Sequence, residues 1–382
     1  MKNILFIHGG AELYGADIIL LQLLKSLNKK EYKAYVLLPN HGPLVKEIQD
    51  IGVEVEVKEY PILRRKFFTP MGIIKYGIGF SKSIFKLKKY IKEKDIDIIQ
   101  SNTVAVLEGA VLHSITKKPH IWHVHEIIKE PKFLNDFYKK FLPKHATKIV
   151  CVSEAVKENL LTENKKYEEK FKVIHNGIDS LKFTAYENNK IREELNLTKD
   201  EIIIGTIGRV NKIKGQGFLL DVAKKVIKKH DNVSFYLVGS AFEGQENLME
   251  ELVEKSKDEE LKGRVYISEF RSDIADIYNN LDIFVLSSIK PDSFPTVVLE
   301  SMSTGIPVVA NVTGGVNEMI EDGKDGFLIH DISVDNMANK LEKLIEDENL
   351  RKTFAREGIS KIKTRFTTES FISKFESLYT TI

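Results

Sequence analysis

The sequence has few of the residues that build covalent or metal-bound frameworks. Among its 382 residues it has one cysteine, Cys151, and it contains no CxxC pair. A single cysteine excludes an intrachain disulfide and is typical of proteins in a reducing compartment. No cluster of histidines and cysteines has the spacing of a structural zinc site. We therefore expect a cytoplasmic protein that binds no metal.

Long hydrophobic runs are also missing. The apolar run near the start of the sequence ends at His8, which makes it strand-length and too short for a signal peptide. No apolar run approaches the roughly 18 residues of a membrane-spanning helix. With 42% hydrophobic and 29% charged residues, the composition is that of an ordinary globular chain, and the length allows two or three domains.

Short apolar strands alternate with amphipathic helices along the chain. The first series of strands is predicted at residues 3–8, 34–39, 53–57, 96–102, 121–125 and 149–153, with a helix at 16–27. The second series is predicted at 202–207, 233–238, 265–267, 283–286, 308–311 and 327–329. This alternation is typical of parallel sheets, so we predict an α/β fold with two doubly wound, Rossmann-like domains.

A polar segment at residues 176–200, which begins with the turn sequence NGID, separates the two series. We place the N-terminal domain at 1–183 and the C-terminal domain at 184–362. The remaining segment, 363–382, carries apolar residues at helical spacing, namely Phe366, Phe371, Phe375 and Leu378.

Two acids flank an apolar run in the segment SIKPDSFPTVVLESMSTGIPVVA. Asp292 follows a predicted strand, and Glu300 lies on the helix that comes next. Carboxylates in these places can hold the hydroxyls of a sugar and a ribose. The alternative is that both acids are solvated at the edge of an amphipathic helix.

Glycines and cations follow other predicted strands, where open parallel sheets bind their ligands. Gly9 and Gly10 follow the first strand and let the backbone approach a phosphate or a sugar. Arg209 and Lys214 lie on one loop and suit a diphosphate, although exposed basic residues often serve only solubility.

Three more glycines occupy similar places in the second half of the chain. Gly239 lies in the turn VGSAFEG and is predicted to shape a nucleotide pocket, although a plain turn explains it equally well. Gly314 and Gly315 precede a predicted helix at residues 316–318, which would be a second anion-binding helix start.

Together these motifs resemble glycosyltransferase family 4, a retaining group with the GT-B architecture. The resemblance rests on GGAE, WHVHE, VSEAV, IHNGID, GRVNKIKG, the turn at Gly239, PDSFPTVVLESMSTGIPVV and TGGVNE, which span nearly the whole chain in the family's order. It implies two facing Rossmann-like domains with a cleft between them. It also implies that the helix within 363–382 returns to the first domain, whereas the plainer alternative is a helix that caps its own domain.

The resemblance also implies roles for individual residues of the C-terminal domain. Arg209 and Lys214 would bind the donor diphosphate, and Glu300 would bind the ribose. Asp292 replaces an acid that is glutamate in most members, so its reach toward the sugar is one methylene shorter. The backbone around Phe294, Pro295 and Thr296 would contact sugar or phosphate, and the loop containing Phe270 would lie near the nucleobase.

In the N-terminal domain, the resemblance implies that Gly10 approaches the donor. His125 matches the histidine that contacts the sugar near the reacting carbon. His123 is a weaker candidate, because we expect it on the opposite face of its strand. Glu126 is expected to orient the His125 ring.

The reaction implied is transfer of a sugar from a UDP- or GDP-sugar to an acceptor hydroxyl, with retention at the anomeric carbon. It needs no protein nucleophile, metal or cofactor besides the donor substrate. The resemblance suggests bacterial-type cell-surface polysaccharide or glycolipid synthesis, with a glycan or lipid-linked acceptor. The alternatives are a sugar-nucleotide epimerase of the same fold and a nucleotide-sugar-binding partner subunit without activity.

One segment departs from the near-neutral charge of the chain, which is +2 overall. Residues 58–94 contain eleven Lys or Arg against two acids, interleaved with aromatic residues that include Phe or Tyr at 67, 68, 76, 80, 85 and 90. This pattern suits an anionic membrane surface or a lipid pyrophosphate, and would add peripheral membrane association to a cytoplasmic location. The alternative is an ordinary helix pair with solvated lysines. Nucleic acid is not indicated, because no recognition module is visible.

Overall fold

A computed structural model describes residues 1–64, 67–161, 165–242 and 244–382. The chain divides into two compact units, one formed by Met1–Gly177 with Thr368–Ile382 and the other by Ile178–Thr367. The sequence analysis instead sets the boundaries at 183 and 362. Arg65 and Lys66 of the basic segment, and Glu243 of the VGSAFEG turn, lie outside the described residues.

The first unit contains a seven-stranded parallel sheet in the order β3-β2-β1-β4-β5-β6-β7. Its strands are β1 (Lys2–His8), β2 (Tyr32–Leu38), β3 (Glu54–Val57), β4 (Ile98–Asn102), β5 (His120–Val124), β6 (Lys148–Cys151) and β7 (Phe171–Val173). The six strands predicted for this half are confirmed. The sequence analysis misses β7, because three residues are too few to show a periodic pattern.

The helices of the first unit cover both faces of this sheet. They are α1 (Gly15–Ser26), α2 (Pro43–Asp50), α3 (Pro70–Glu93), α4 (Glu108–Thr116), α5 (Lys132–Phe141) and α6 (Glu154–Leu160). In α1, the buried pairs Ile19–Leu20 and Leu23–Leu24 recur one turn apart and pack onto one face of the sheet. On the other face, α3 buries Leu87 and Ile91.

The second unit contains a six-stranded parallel sheet in the order β10-β9-β8-β11-β12-β13. Its strands are β8 (Ile202–Ile207), β9 (Val233–Val238), β10 (Val265–Ser268), β11 (Ile283–Leu286), β12 (Val308–Asn311) and β13 (Gly326–Ile329). All six are predicted from the sequence. The order of winding reverses between β8 and β11, which is where ligands of such sheets bind.

Seven helices are described in the second unit. They are α7 (Lys190–Glu194), α8 (Gln216–Ile227), α9 (Asn247–Ser256), α10 (Ile274–Tyr278), α11 (Thr296–Thr304), α12 (Val334–Glu346) and α13 (Glu348–Arg365). The last two helices adjoin at Asp347, whose side chain accepts a hydrogen bond from the Leu350 N–H and so caps α13.

The final helix, α14 (Thr368–Thr381), packs with the first unit. It buries Phe371, Phe375 and Leu378 in the same cluster as α1. Phe366, which shares their periodicity, instead lies at the end of α13 in the second unit. Among the described residues, no helix is both long and apolar enough to cross a membrane.

We predict that Tyr379→Phe destabilises the first unit. The Tyr379 hydroxyl is buried and donates to Gln100 Oε1 at 2.6 Å, so its removal leaves a buried amide oxygen unpaired. The expected loss of unfolding free energy is about 1–3 kcal/mol. Urea unfolding followed by the fluorescence of Trp122, the only tryptophan of the chain, reports on this unit.

The matched control is Tyr167→Phe, at a half-buried ring of the same unit, which should leave the urea midpoint almost unchanged. Equal midpoints for Tyr379→Phe and the parent would contradict the prediction.

Candidate functional site

Arg209 and Lys214, predicted to bind a diphosphate, follow β8, and Asp292, predicted to contact the sugar, follows β11, at the point where the winding of the second sheet reverses. Lys214 Nζ lies 2.5 Å from Asp292 Oδ2, and both side chains are largely buried. Ser288 Oγ is 3.4 Å from the same carboxylate oxygen. The structure thus brings together two residues that are far apart in the sequence and were predicted separately.

The loop that carries Lys214 is held by hydrogen bonds within the loop and by one from the loop after β11. Asn211 Oδ1 accepts hydrogen bonds from the N–H groups of Ile213 and Lys214, and Ser287 Oγ donates to the Lys214 carbonyl oxygen. Gly215 has a φ of 70°, and a Cβ there would lie 2.1 Å from the Ser287 carbonyl oxygen. Only glycine therefore allows the β8 and β11 loops to approach so closely.

Arg209 is placed by a residue that the sequence analysis does not single out. The central carbon of its guanidinium lies 3.3 Å from the centroid of the Phe242 ring. This contact is a cation–π stack, which fixes the plane of the guanidinium. Gln216 Nε2 donates to the Arg209 carbonyl oxygen at 2.9 Å and holds the backbone.

Gly239 has a packing role at the end of β9. Its φ is 149°, and a Cβ would lie 2.0 Å from the Gly208 carbonyl oxygen. The glycine therefore lets the ends of β8 and β9 meet, while the predicted contact with a nucleotide stays a prediction.

The glycine pair after β12 contacts Asp292 directly. A Cβ on Gly314 would lie 1.9 Å from the Asp292 carbonyl oxygen, and the Gly315 N–H donates to that oxygen at 3.0 Å. The helix that follows is one short 3-10 turn, Gly315–Glu318. The Gly315 N–H therefore already has a protein acceptor and the glycine pair positions Asp292, while the predicted contact of these glycines with an anion stays a prediction.

At the start of α11, a proline reduces the number of backbone N–H groups that can bind a ligand. Pro295 is the N-cap residue and has no N–H, so within 294–296 only Phe294 and Thr296 can donate. The Phe294 side chain is buried, with its ring centroid 5.9 Å from that of Phe366. Its side chain thus anchors the loop.

Glu300 lies on α11 and is oriented by a buried tyrosine. Tyr278 Oη donates to Glu300 Oε2 at 3.0 Å and lies 3.1 Å from the Val297 carbonyl oxygen. Burial raises the pKa of the Glu300 carboxyl, and hydrogen bonds from Tyr278 and Thr296 partly offset that rise. No sequence pattern links positions 278 and 300, so the sequence analysis misses Tyr278.

Phe270 follows β10 and presents an exposed ring. Its side chain is 60% exposed, while its N–H donates to Ser240 Oγ at 2.8 Å. A fixed backbone with an open aromatic face suits stacking on a planar ring.

In the first unit, the residues after β1 lie beside a buried contact between a histidine and an aspartate. His8 Nε2 lies 2.6 Å from Asp17 Oδ1, and the His8 carbonyl oxygen accepts from Tyr60 Oη. The two glycines that follow, Gly9 and Gly10, differ in the space that a side-chain carbon, Cβ, would have. A Cβ on Gly9 would lie 2.7 Å from Thr103 Cγ2, whereas a Cβ on Gly10 would meet nothing closer than 3.9 Å. A side chain would therefore be crowded at position 9 and would have space at position 10.

His125 and His123 lie together, which corrects the expectation that they face opposite sides. Their ring centroids are 4.0 Å apart, because residues two apart on a strand project to the same face. Burial lowers the pKa of His125 to about 3 and also lowers that of His123. Both imidazoles are therefore neutral near pH 7.

Glu126 holds the His125 backbone and not its ring, contrary to expectation. Its Oε2 accepts from the His125 N–H at 3.1 Å, and its Oε1 is bound by the Thr103 hydroxyl. Across 1–64, 67–161, 165–242 and 244–382, no three His, Cys, Asp or Glu side chains group as metal ligands would.

We predict that Tyr278→Phe raises the pKa of Glu300 further. The substitution keeps the ring but removes the hydrogen bond that favours the charged carboxylate, so burial acts with less opposition. Carboxyl ¹³C NMR, with the signal assigned by Glu300→Gln, measures the shift. Tyr266→Phe, which removes a hydroxyl bonded to the Gly263 carbonyl oxygen in the same unit, is the control. An unchanged or lowered Glu300 pKa would refute this account.

Comparison with known families supports the assignment suggested by the motifs. The model described as "Glycosyltransferase Family 4" matches residues 14–180, and the one described as "Glycosyl transferases group 1" matches residues 187–361. The first match falls almost entirely in the first unit, and the second match falls in the second unit.

Two curated relatives cover most of the chain. The capsular polysaccharide biosynthesis glycosyltransferase CapM of Staphylococcus aureus is 30% identical over 78% of this chain and 80% of its own length. The UDP-Gal:alpha-D-GlcNAc-diphosphoundecaprenol alpha-1,3-galactosyltransferase of Escherichia coli is 26% identical over 95% of this chain and 96% of its own.

Among solved structures, HepE of Anabaena, determined in complex with UDP-glucose, matches with a TM-score of 0.85 at 24% identity. The match covers all of both chains, and at this identity it bears on the fold alone. The two family models and the relative at 30% identity show the family, and the HepE match shows the fold. The chain therefore belongs to glycosyltransferase family 4 and has the GT-B fold.

Proposed function

We propose that this glycosyltransferase moves a sugar from a nucleoside diphosphate sugar to an acceptor hydroxyl and retains the configuration at the anomeric carbon. The observation that carries the proposal is the placement of Arg209 and Lys214 after β8, where the sheet order reverses. A sheet of this kind binds ligands at that point, and two fixed cations there match the charge of a diphosphate.

Lys214 would exchange its partner when the donor binds. Without donor, its ammonium is bound to the Asp292 carboxylate at 2.5 Å. A diphosphate carries more negative charge than one carboxylate, so the ammonium would shift toward it while Asp292 limits how far it moves. Asp292 then positions Lys214, and its carboxylate can also accept from a hydroxyl of the sugar.

Arg209 would hold the other side of the diphosphate. Its stacking on Phe242 fixes the plane of its five N–H donors before the donor arrives. A cation that is already oriented stabilises the charge that develops on the leaving diphosphate without a cost of reorganisation.

Glu300 and Phe270 would bind the nucleoside. A carboxylate held by Tyr278 presents its other oxygen to the ribose hydroxyls, and the exposed Phe270 ring suits the base. Gly239 and the N–H groups of Phe294 and Thr296 would line the same site. We favour UDP over GDP, because HepE was determined in complex with UDP-glucose and the name of the E. coli relative refers to UDP-Gal.

In the first unit, His125 would act as a neutral hydrogen-bonding partner of the transferred sugar. With its pKa lowered to about 3, it is uncharged at neutral pH and is not a proton donor to the leaving group. The leaving phosphate oxygen would take the proton of the acceptor hydroxyl. Gly9 and Gly10 would supply close backbone contacts beside it.

The acceptor would be a glycan or lipid-linked saccharide of bacterial-type cell-surface polysaccharide or glycolipid synthesis, reached from the cytoplasmic side. The names of both curated relatives support this class: one refers to capsular polysaccharide and the other to a diphosphoundecaprenol-linked sugar.

We predict that Lys214→Ala lowers kcat by a factor of about 10²–10³, because a fixed charge that stabilises the leaving diphosphate is lost. The assay measures UDP release and product formation across a panel of UDP- and GDP-sugars with lipid-linked acceptors. Lys290→Ala removes an exposed cation from the loop that carries Asp292 and is the matched control.

Equal activity of Lys214→Ala and the control would refute the role of Lys214. Conversion of the donor sugar without any acceptor would identify an epimerase, and tight UDP binding without turnover would identify a binding subunit.

We also propose catalysis without a metal, since Arg209 and Lys214 can neutralise the diphosphate themselves. Transfer should therefore persist in excess EDTA at an unchanged rate. Loss of transfer in EDTA that manganese restores would show that a divalent cation is required.

A further inference from the structure

Helix α3 is apolar on the side that faces solvent as well as on the side that faces the core. Leu87 and Ile91 pack against the first sheet. On the outward side, Met71, Ile74 and Ile78 are 61%, 57% and 54% exposed, and Phe85 is 77% exposed. Spacings of three, four and seven residues place these four side chains in one stripe. A helix that only covers its own core has no use for this stripe.

The stripe is surrounded by lysines that have no counter-ion. Helix α3 contains six lysines, and its only acid is Glu93, its last residue. Within the described residues, Lys75, Lys82, Lys86, Lys88 and Lys92 form no ion pair, whereas Lys89 lies 3.4 Å from Glu93. Positive charge therefore remains uncompensated beside an exposed apolar stripe.

Helix α5 extends the apolar surface next to the start of α3. Phe133 is 61% exposed, and its ring centroid lies 5.7 Å from that of Phe68, which comes just before α3. Lysines occur at both ends of α5, namely Lys132, Lys139 and Lys140. The composition of α3, apolar and basic together, thus continues onto α5. We call Met71, Ile74, Ile78, Phe85 and Phe133 the α3 face.

We propose that the α3 face docks on an anionic lipid bilayer, with its apolar side chains in the headgroup region and its lysines on lipid phosphates. The helix would lie along the surface, because an amphipathic helix with this many lysines binds in the interface plane. The charge favours lipid over a second copy of this chain, since a symmetric dimer through this face would bring like charges together. The inference extends the proposed lipid-linked acceptor, and its test uses neither donor nor acceptor.

Vesicle flotation of the full chain tests the proposal. Binding should be strong to phosphatidylcholine mixed with phosphatidylglycerol, weak to phosphatidylcholine alone, and reduced by added salt. The variant Ile74→Ser/Ile78→Ser/Phe85→Ser should bind anionic vesicles at least about tenfold more weakly, because three apolar side chains no longer insert. Leu181→Ser, at a 90% exposed leucine of the second unit, should bind like the parent.

A fluorescent probe distinguishes insertion from charge attraction alone. The native Cys151 is buried, so a polarity-sensitive thiol dye would label an introduced Ile78→Cys selectively. Its emission should shift to the blue with anionic vesicles, whereas the same dye on Leu181→Cys should not respond.

Three results would overturn the inference: equal recovery of the parent with neutral and anionic vesicles, equal recovery of the triple variant, or a concentration-dependent dimer that the triple variant loses. The last would assign the face to a second copy. Thermal stabilisation of the triple variant by UDP, measured beside the parent, shows whether the variant is folded and reports on the proposed function separately.

Discussion

The close approach of the loops after β8, β11 and β12 is the constraint on which the Lys214–Asp292 site depends. Backbone atoms meet at Gly215 and Ser287 and again at Gly314 and Asp292, at distances that leave no space for a Cβ. Because these contacts fix the loops, the Lys214 ammonium and the Asp292 carboxylate come within hydrogen-bond distance. The ion pair is thus a result of backbone packing, and its orientation is set before any ligand binds.

Electrostatics differ between the two units. In the second unit, the Lys214 ammonium and the Asp292 carboxylate form an ion pair, so charge is present where β8 and β11 end. In the first unit, His123 and His125 are buried and neutral, so they contribute hydrogen bonds and shape but no charge.

The sequence predicts twelve of the thirteen strands found in the described residues, because buried parallel strands are short apolar runs that are easy to recognise. It also predicts which loops carry the charged residues. It does not predict the partners of those residues. Phe242 and Tyr278 orient Arg209 and Glu300, but each lies on a different element from the residue it orients, and only the tertiary fold brings them together. The error over Glu126 has the same origin, since its contact with Thr103 joins two separate loops.

The glycines at the strand ends also limit how this enzyme can change. The backbones of the loops after β8, β11 and β12 are in direct contact. One of these loops therefore cannot move to admit a larger or differently shaped sugar without displacing the strands that carry them. At the proposed donor site, new donor preferences would therefore have to arise from side chains such as Phe270 and Thr296, while the backbone frame stays the same. Laboratory evolution of specificity would be expected to leave Gly215 and Gly314 untouched.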